Sequence, residues 1–147
     1  MTAPAYTWKF VYDLWGDRVP KVATFEATVN LLTKVGTLLF MNSGQVDNCT
    51  DGSGTCIGLA AEEKSTALSS GDAIKVELIA PGMVIRGTAE SDASAVTGFA
   101  SQSQDIDSDQ RLDVDDTTGG FLSVYRVNNS AGTEVDCVIT DFDMGVA

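Results

Sequence analysis

Near the start of the chain, alternating residue types confine the backbone to an extended conformation. Tyr6, Trp8, Phe10, Tyr12 and Leu14 fall on one parity, and Thr7, Lys9, Val11 and Asp13 on the other. Side chains of a strand point alternately to opposite faces, so this pattern predicts an extended segment with one aromatic face. Both tryptophans, Trp8 and Trp15, lie within the first fifteen residues, as do two of the three tyrosines. An aromatic face of this size needs a surface to lie on. Either the body of the same chain supplies it or a partner does.

The remainder has the texture of short strands separated by Gly, Ser, Asn and Asp. Residues 37–41 read as a buried strand ending at Asn42-Ser43-Gly44. Over residues 73–79, Ile74, Val76 and Leu78 share one face against Lys75 and Glu77. The run is bounded by Gly71-Asp72 and Pro81-Gly82, and residues 83–86 continue after the turn. Residues 121–127 and 134–142 flank Asn128, Asn129 and Gly132, which reads as a hairpin. Helix signals are confined to one or two turns at 60–64, and residues 90–100 read as irregular. The expectation is an all-β fold, a small β-barrel or β-sandwich. Residues 1–26 form an extended N-terminal arm or first strand, and residues 27–147 a single β domain.

Charge is distributed unevenly. Residues 1–35 carry four basic and three acidic side chains, whereas residues 36–147 carry five and eighteen, a net charge of −13 within a total of −12. Such an acidic body repels phosphates and resists self-aggregation, so no nucleic-acid partner is expected. No run approaches the length of a membrane span, so no membrane association is expected either. The first residues lack the basic-then-apolar pattern of a secretory leader, so Asn48-Cys49-Thr50 and Asn128-Asn129-Ser130 read as chance sequons.

Chemistry has little to stand on. The chain contains no histidine, which removes the usual Ser-His and Cys-His pairs, His-based zinc sites and the commonest general base. Gly52-Ser53-Gly54 lacks the Gly-Lys-Ser/Thr of a phosphate loop and reads as a surface turn. Among twenty-one acidic residues no pair stands out as catalytic. The expectation is a non-enzymatic protein without a cofactor. The stretch Asp105-Ile106-Asp107-Ser108-Asp109, with Asp113 and Asp116 beyond, resembles the opening of a calcium loop. Gln110 stands where the sharp-turn glycine belongs, and Asp116 replaces the bidentate Glu. The other account places these aspartates on a solvated strand face or turn, with Ile106, Leu112 and Val114 alternating inward, and no metal ligand set is assigned.

Cys49 and Cys56 enclose a loop of six residues containing two glycines. A disulfide there would contribute about 2–3 kcal/mol by loop entropy, and two free thiols are the alternative. Cys137 alternates with Val135 and Ile139 and reads as a core residue. The aromatic segment likewise has two readings. It is the first strand filling the core, or Tyr6, Trp8, Phe10, Tyr12 and Trp15, with a bend at Val19-Pro20, dock on a neighbouring subunit or another protein by strand addition.

From Lys34 to Arg86 the sequence looks like a known family. Val35-Gly36-Thr37-Leu38-Leu39, Asn42-Ser43-Gly44, Ile57-Gly58-Leu59-Ala60-Ala61 and Ser70-Gly71-Asp72-Ala73-Ile74-Lys75-Val76, followed by a Pro-containing turn, resemble capsid decoration proteins of tailed bacteriophages, also called cement or head-stabilising proteins. The resemblance covers roughly the middle third of the chain. It implies a small β-barrel or sandwich and a homo-oligomer, with a trimer favoured. It also implies a place on the outer surface of the virion capsid and a grip on neighbouring major capsid protein subunits. A phage tail or fibre subunit, or a β-sandwich module for carbohydrate or cell surfaces, are the alternatives.

Overall fold

Two antiparallel sheets organise the computed structural model, which describes residues 2–144. Met1 and residues 145–147, at the outer limits of the expected 1–26 and 27–147 segments, lie outside the described residues. The strands are β1 (Lys9–Asp13), β2 (Lys21–Glu26), β3 (Leu38–Asn42), β4 (Gln45–Asn48), β5 (Gly58–Ala60), β6 (Ala73–Leu78) and β7 (Met83–Thr88). They continue with β8 (Asp105–Ile106), β9 (Leu112–Asp113), β10 (Leu122–Val127) and β11 (Glu134–Ile139). The first sheet runs β1-β7-β11-β10 and the second β2-β6-β5-β3-β4, while β8 and β9 form a small separate ladder. The expected all-β class is what the chain adopts. Its strands lie in separate sheets with distinct edges, and not in one closed ring, among the described residues.

Local chemistry accounts for the main elements. In β6, Ile74 and Val76 are fully buried while Ala73 and Lys75 are exposed, the period-2 pattern of a half-buried strand. Between β3 and β4 the connection is Ser43-Gly44, both at positive φ (52° and 84°). That is the turn whose twist matches a two-residue hairpin, and it sets Asn42 opposite Gln45. The β10–β11 hairpin is closed by Asn129, whose side-chain oxygen accepts from Thr133 N and Glu134 N at 2.9 and 3.1 Å. Residues 60–64 are not helical. Ala60 ends β5, and Lys64 pairs with Thr33 in an isolated bridge. A run this short cannot repay helix nucleation once Ala60 is committed to the ladder. The irregular 90–100 stretch contains a single 3₁₀ turn, Ser94–Val96.

The sheets share one core. Leu38 and Leu59 from the second sheet meet Ile85, Val124 and Cys137 from the first. A second cluster, including Leu39, Val46, Ile74 and Val76, lies on the other face of the second sheet beneath Ala27 and Leu31. The second sheet is therefore covered on both faces.

The chain crosses between sheets at two corners, and these corners pair. β6 leads to β7 through Pro81-Gly82, and β1 leads to β2 through residues 14–20. β1 pairs antiparallel with β7 and β2 with β6. Leu14 N donates to Gly82 O at 2.8 Å, so the ladder continues round the bend. Residues 9–26 thus form one bent ribbon that supplies an edge strand to each sheet.

Candidate functional site: the 14–20 corner

The aromatic segment is divided among four environments. Trp8 is buried, with its indole N–H donating to Gln110 O at 2.8 Å and its backbone N to Gly36 O at 2.9 Å. Gly87 leaves the room for its ring, since a Cβ there would come within 2.3 Å of the indole. Phe10 sits opposite Ile85 and packs on the shared core. Tyr6 is half-buried under the Arg111 guanidinium, 5.2 Å from its ring centroid.

The alternation breaks after Phe10. The register slips between Phe10 and Tyr12, with Phe10 opposite Ile85 but Tyr12 opposite Val84. One extra residue at Val11 forms a bulge and turns the following side chain to the other face. Tyr12 therefore does not share the face of Trp8 and Phe10, as its parity predicts. Its hydroxyl donates to Asp136 at 3.0 Å, and Arg126 stacks over its ring. Burial and that hydrogen bond push the Tyr12 phenol up to about 12. Asp136, fully buried, also accepts from Arg86, Arg126 and Asn128. Burial alone would raise its pKa, but these four donors together outweigh burial and hold the carboxyl below its ordinary range.

What remains for a partner is the corner. Trp15 is 69% exposed and Val19 71%, with Leu14 and Val22 also exposed beside them. This corner is held rigidly. Asp13 accepts from Trp15 N and Arg18 N, both at 3.2 Å, and from the Arg18 side chain at 2.8 and 2.9 Å. Arg18 in turn donates to Pro81 O at 2.7 Å and lies 5.0 Å from the Trp15 ring centroid. The guanidinium holds the Asp13 carboxyl down at about 2. Gly82, at φ +88°, lets the indole lie against the backbone, because a Cβ would approach it to 2.6 Å.

Two grooves flank this loop. One, of about 550 Å³, runs past Val19, Leu78, Ala80, Met83 and Phe142. The other, of about 340 Å³, lies between Trp15, Phe99 and Val138. Residues 13–22 carry two acidic and two basic side chains, so the corner is neutral on an acidic body. In the sequence, Leu14 stands out only by its parity and Val19 only as part of the Val19-Pro20 bend, and Val22 is not singled out. The signal they share is that large apolar residues flank a turn that would ordinarily be polar.

The Asp-rich segment does not gather as a calcium loop. Asp107 closes its own turn, accepting from Asp109 N and Arg111 N and pairing with the Arg111 side chain at 2.8 Å. Gln110 takes the left-handed conformation (φ 65°) that a turn glycine would supply. Its buried amide replaces a strand neighbour. It accepts from Leu38 N at 2.7 Å and donates to Leu38 O and Cys49 O at 3.0 and 2.9 Å. Asp105 and Asp116 instead approach Asp51 of the 50–55 loop, their carboxylate oxygens within 4.8 Å of one another. Burial first, then the neighbouring Asp116 and Asp51 charges, raise the Asp105 carboxyl, against hydrogen bonds from Ile106 N and Gly52 N.

Cys49, Cys56 and Cys137 are all buried thiols. Among the described residues no helix is long and apolar enough to cross a membrane. No protein-family model matches the chain, and no curated protein matches it either.

Proposed function

We propose that this protein is a structural, non-enzymatic component of a tailed-phage virion. It decorates the outer surface of the capsid as a homo-oligomer, a trimer in the favoured form, and bridges neighbouring major capsid protein subunits through the 14–20 corner. The observation that carries the reading is the rigid, neutral, apolar corner of Leu14, Trp15 and Val19 on an otherwise acidic body. Large aromatic anchors in a pre-ordered loop lose little entropy on binding, and neutral surface approaches a charged shell without repulsion. The resemblance of residues 34–86 to decoration proteins points the same way. A ligand that prefers the assembled shell stabilises it by mass action, and many copies add up on one particle.

The test is binding of the purified protein to expanded heads that lack it. Wild type saturates the heads, while Trp15→Ala combined with Val19→Ser folds but does not bind. Equal binding by the variant overturns the corner as the contact.

The exposed Trp15 indole beside a groove also favours a second reading, a carbohydrate-binding module. Retention on a polysaccharide column that is abolished by Trp15→Ala, with no binding to heads, would select it.

A further inference from the structure

We propose that Cys49 and Cys56 are a redox-modifiable pair that closes to a disulfide when the folded protein meets a small-molecule disulfide. Cys49 follows β4 and Cys56 precedes β5, the two strands that flank β3. The connection between them folds back so that the Cys49 sulfur lies 3.7 Å from Thr55 O, one peptide bond from Cys56. That contact sets the Cys49 sulfur beside the backbone of Cys56, whose own thiol donates to Gly58 O at 3.6 Å. Both cysteines are buried in the same core cluster, away from the surface.

The connecting loop is the solvent-facing side of the pair. Thr50, Asp51, Gly52 and Gly54 are exposed, and the loop is held by a Thr50–Ser53 turn and one bond from Gly52 N to Asp105. Burial pushes the Cys49 thiol up, so it reacts only when this loop lifts. The thiolate of one cysteine then attacks a sulfur of oxidised glutathione, forming a mixed disulfide and releasing one glutathione thiol. The second cysteine attacks the protein sulfur of that bond, and the second glutathione leaves as a thiol. Each cysteine loses one hydrogen, and the outer disulfide is reduced to two thiols. Cys137 takes no part. It lies fully buried in β11 between Ile85 and Val124.

Closing the ring restricts the unfolded chain, so the oxidised protein is the more stable form. A reducing cytosol keeps the thiols open, and release from the cell closes them. That timing rests on the virion reading, but the chemistry does not.

The experiment exposes the native full chain to oxidised glutathione, then reads intact mass, non-reducing peptide maps and the urea midpoint. The expected result is loss of two hydrogens, a Cys49–Cys56 link, a free Cys137 and a higher midpoint that reductant reverses. Cys56→Val is expected to stop at one glutathione adduct with no rise in midpoint, and the wild-type map decides alone if that variant does not fold. Stable glutathione adducts without an internal link, a link to Cys137, a native protein that stays unreacted while its unfolded chain is oxidised, or a lower midpoint each overturn the proposal. None of these outcomes depends on whether the protein binds capsids.

Discussion

The indole N–H of Trp8 donates to the main-chain carbonyl of Gln110 at 2.8 Å, joining residues 102 positions apart. Gln110 binds Leu38 and Cys49 through its amide, so one buried glutamine ties the N-terminal ribbon, the β3 strand and the Asp-rich turn together. The first strand is thus anchored into the core, and only its far end, the corner, is left for a partner.

Trp8→Ala is expected to lose about 3–5 kcal/mol of stability, the cost of deleting a large buried aromatic. Trp8→Phe keeps much of the packing but orphans the Gln110 carbonyl, for a loss of about 1–3 kcal/mol. Urea midpoints of the two variants, ranked against wild type, check both values.

Gly87→Ala forces a methyl group against the Trp8 ring, and overpacking of this kind costs about 1–3 kcal/mol. In a Trp8→Ala background the same substitution has room, so its penalty shrinks. A double-mutant cycle measures this coupling, and additivity would contradict the contact.

How much of this was legible in sequence depended on range. The β6 strand and the β10–β11 hairpin followed from period-2 alternation and local turn residues, because their determinants lie within the element itself. The bulge at Val11 did not, since inserting one residue leaves the pattern intact while reversing the face that Tyr12 presents. β2 was hidden because only Ala23 and Phe25 turn inward, while Val22 is exposed. Gln110 looked like a departure from a calcium loop, and its partners, Leu38 and Cys49, become visible only in three dimensions. The grouping of Asp51 with Asp105 and Asp116 is long-range in the same way. Of the aromatic candidates, Trp15 alone stayed well exposed, because it follows the last ladder residue of β1.

Asp136→Asn removes the charge that Arg86 and Arg126 share. The loss is expected at about 2–3 kcal/mol, below that for a fully buried pair, because both arginines reach water. The folded-state carboxyl is lowered, so its contribution is present above the unfolded value near 4 and disappears as pH falls through the folded value. Urea midpoints measured from pH 7 downward should therefore converge for wild type and variant in acid.

Asp13 gives the corner its own acid response. Its carboxyl is lowered to about 2, so the bonds to Trp15 and Arg18 persist at pH 4 and loosen as pH falls toward that value. Trp15 fluorescence should shift over that interval, and Asp13→Asn should show the shifted emission already at pH 7. Trp15→Phe identifies the signal by removing it.

Trp15→Ala is expected to leave stability within about 0.5–1 kcal/mol of wild type, because the ring is mostly exposed. Its effect on capsid affinity should be at least tenfold, as for an aromatic interface anchor. Titration of labelled protein onto heads separates the two effects.

The central claim, a decorating role on the shell, is tested most directly by copy number. Virus particles purified from cells that express this chain are quantified by mass spectrometry against their major capsid protein. The account predicts one copy per capsid subunit or a simple fraction of it. A handful of copies per particle would place the protein in the tail, and complete absence would contradict a virion role.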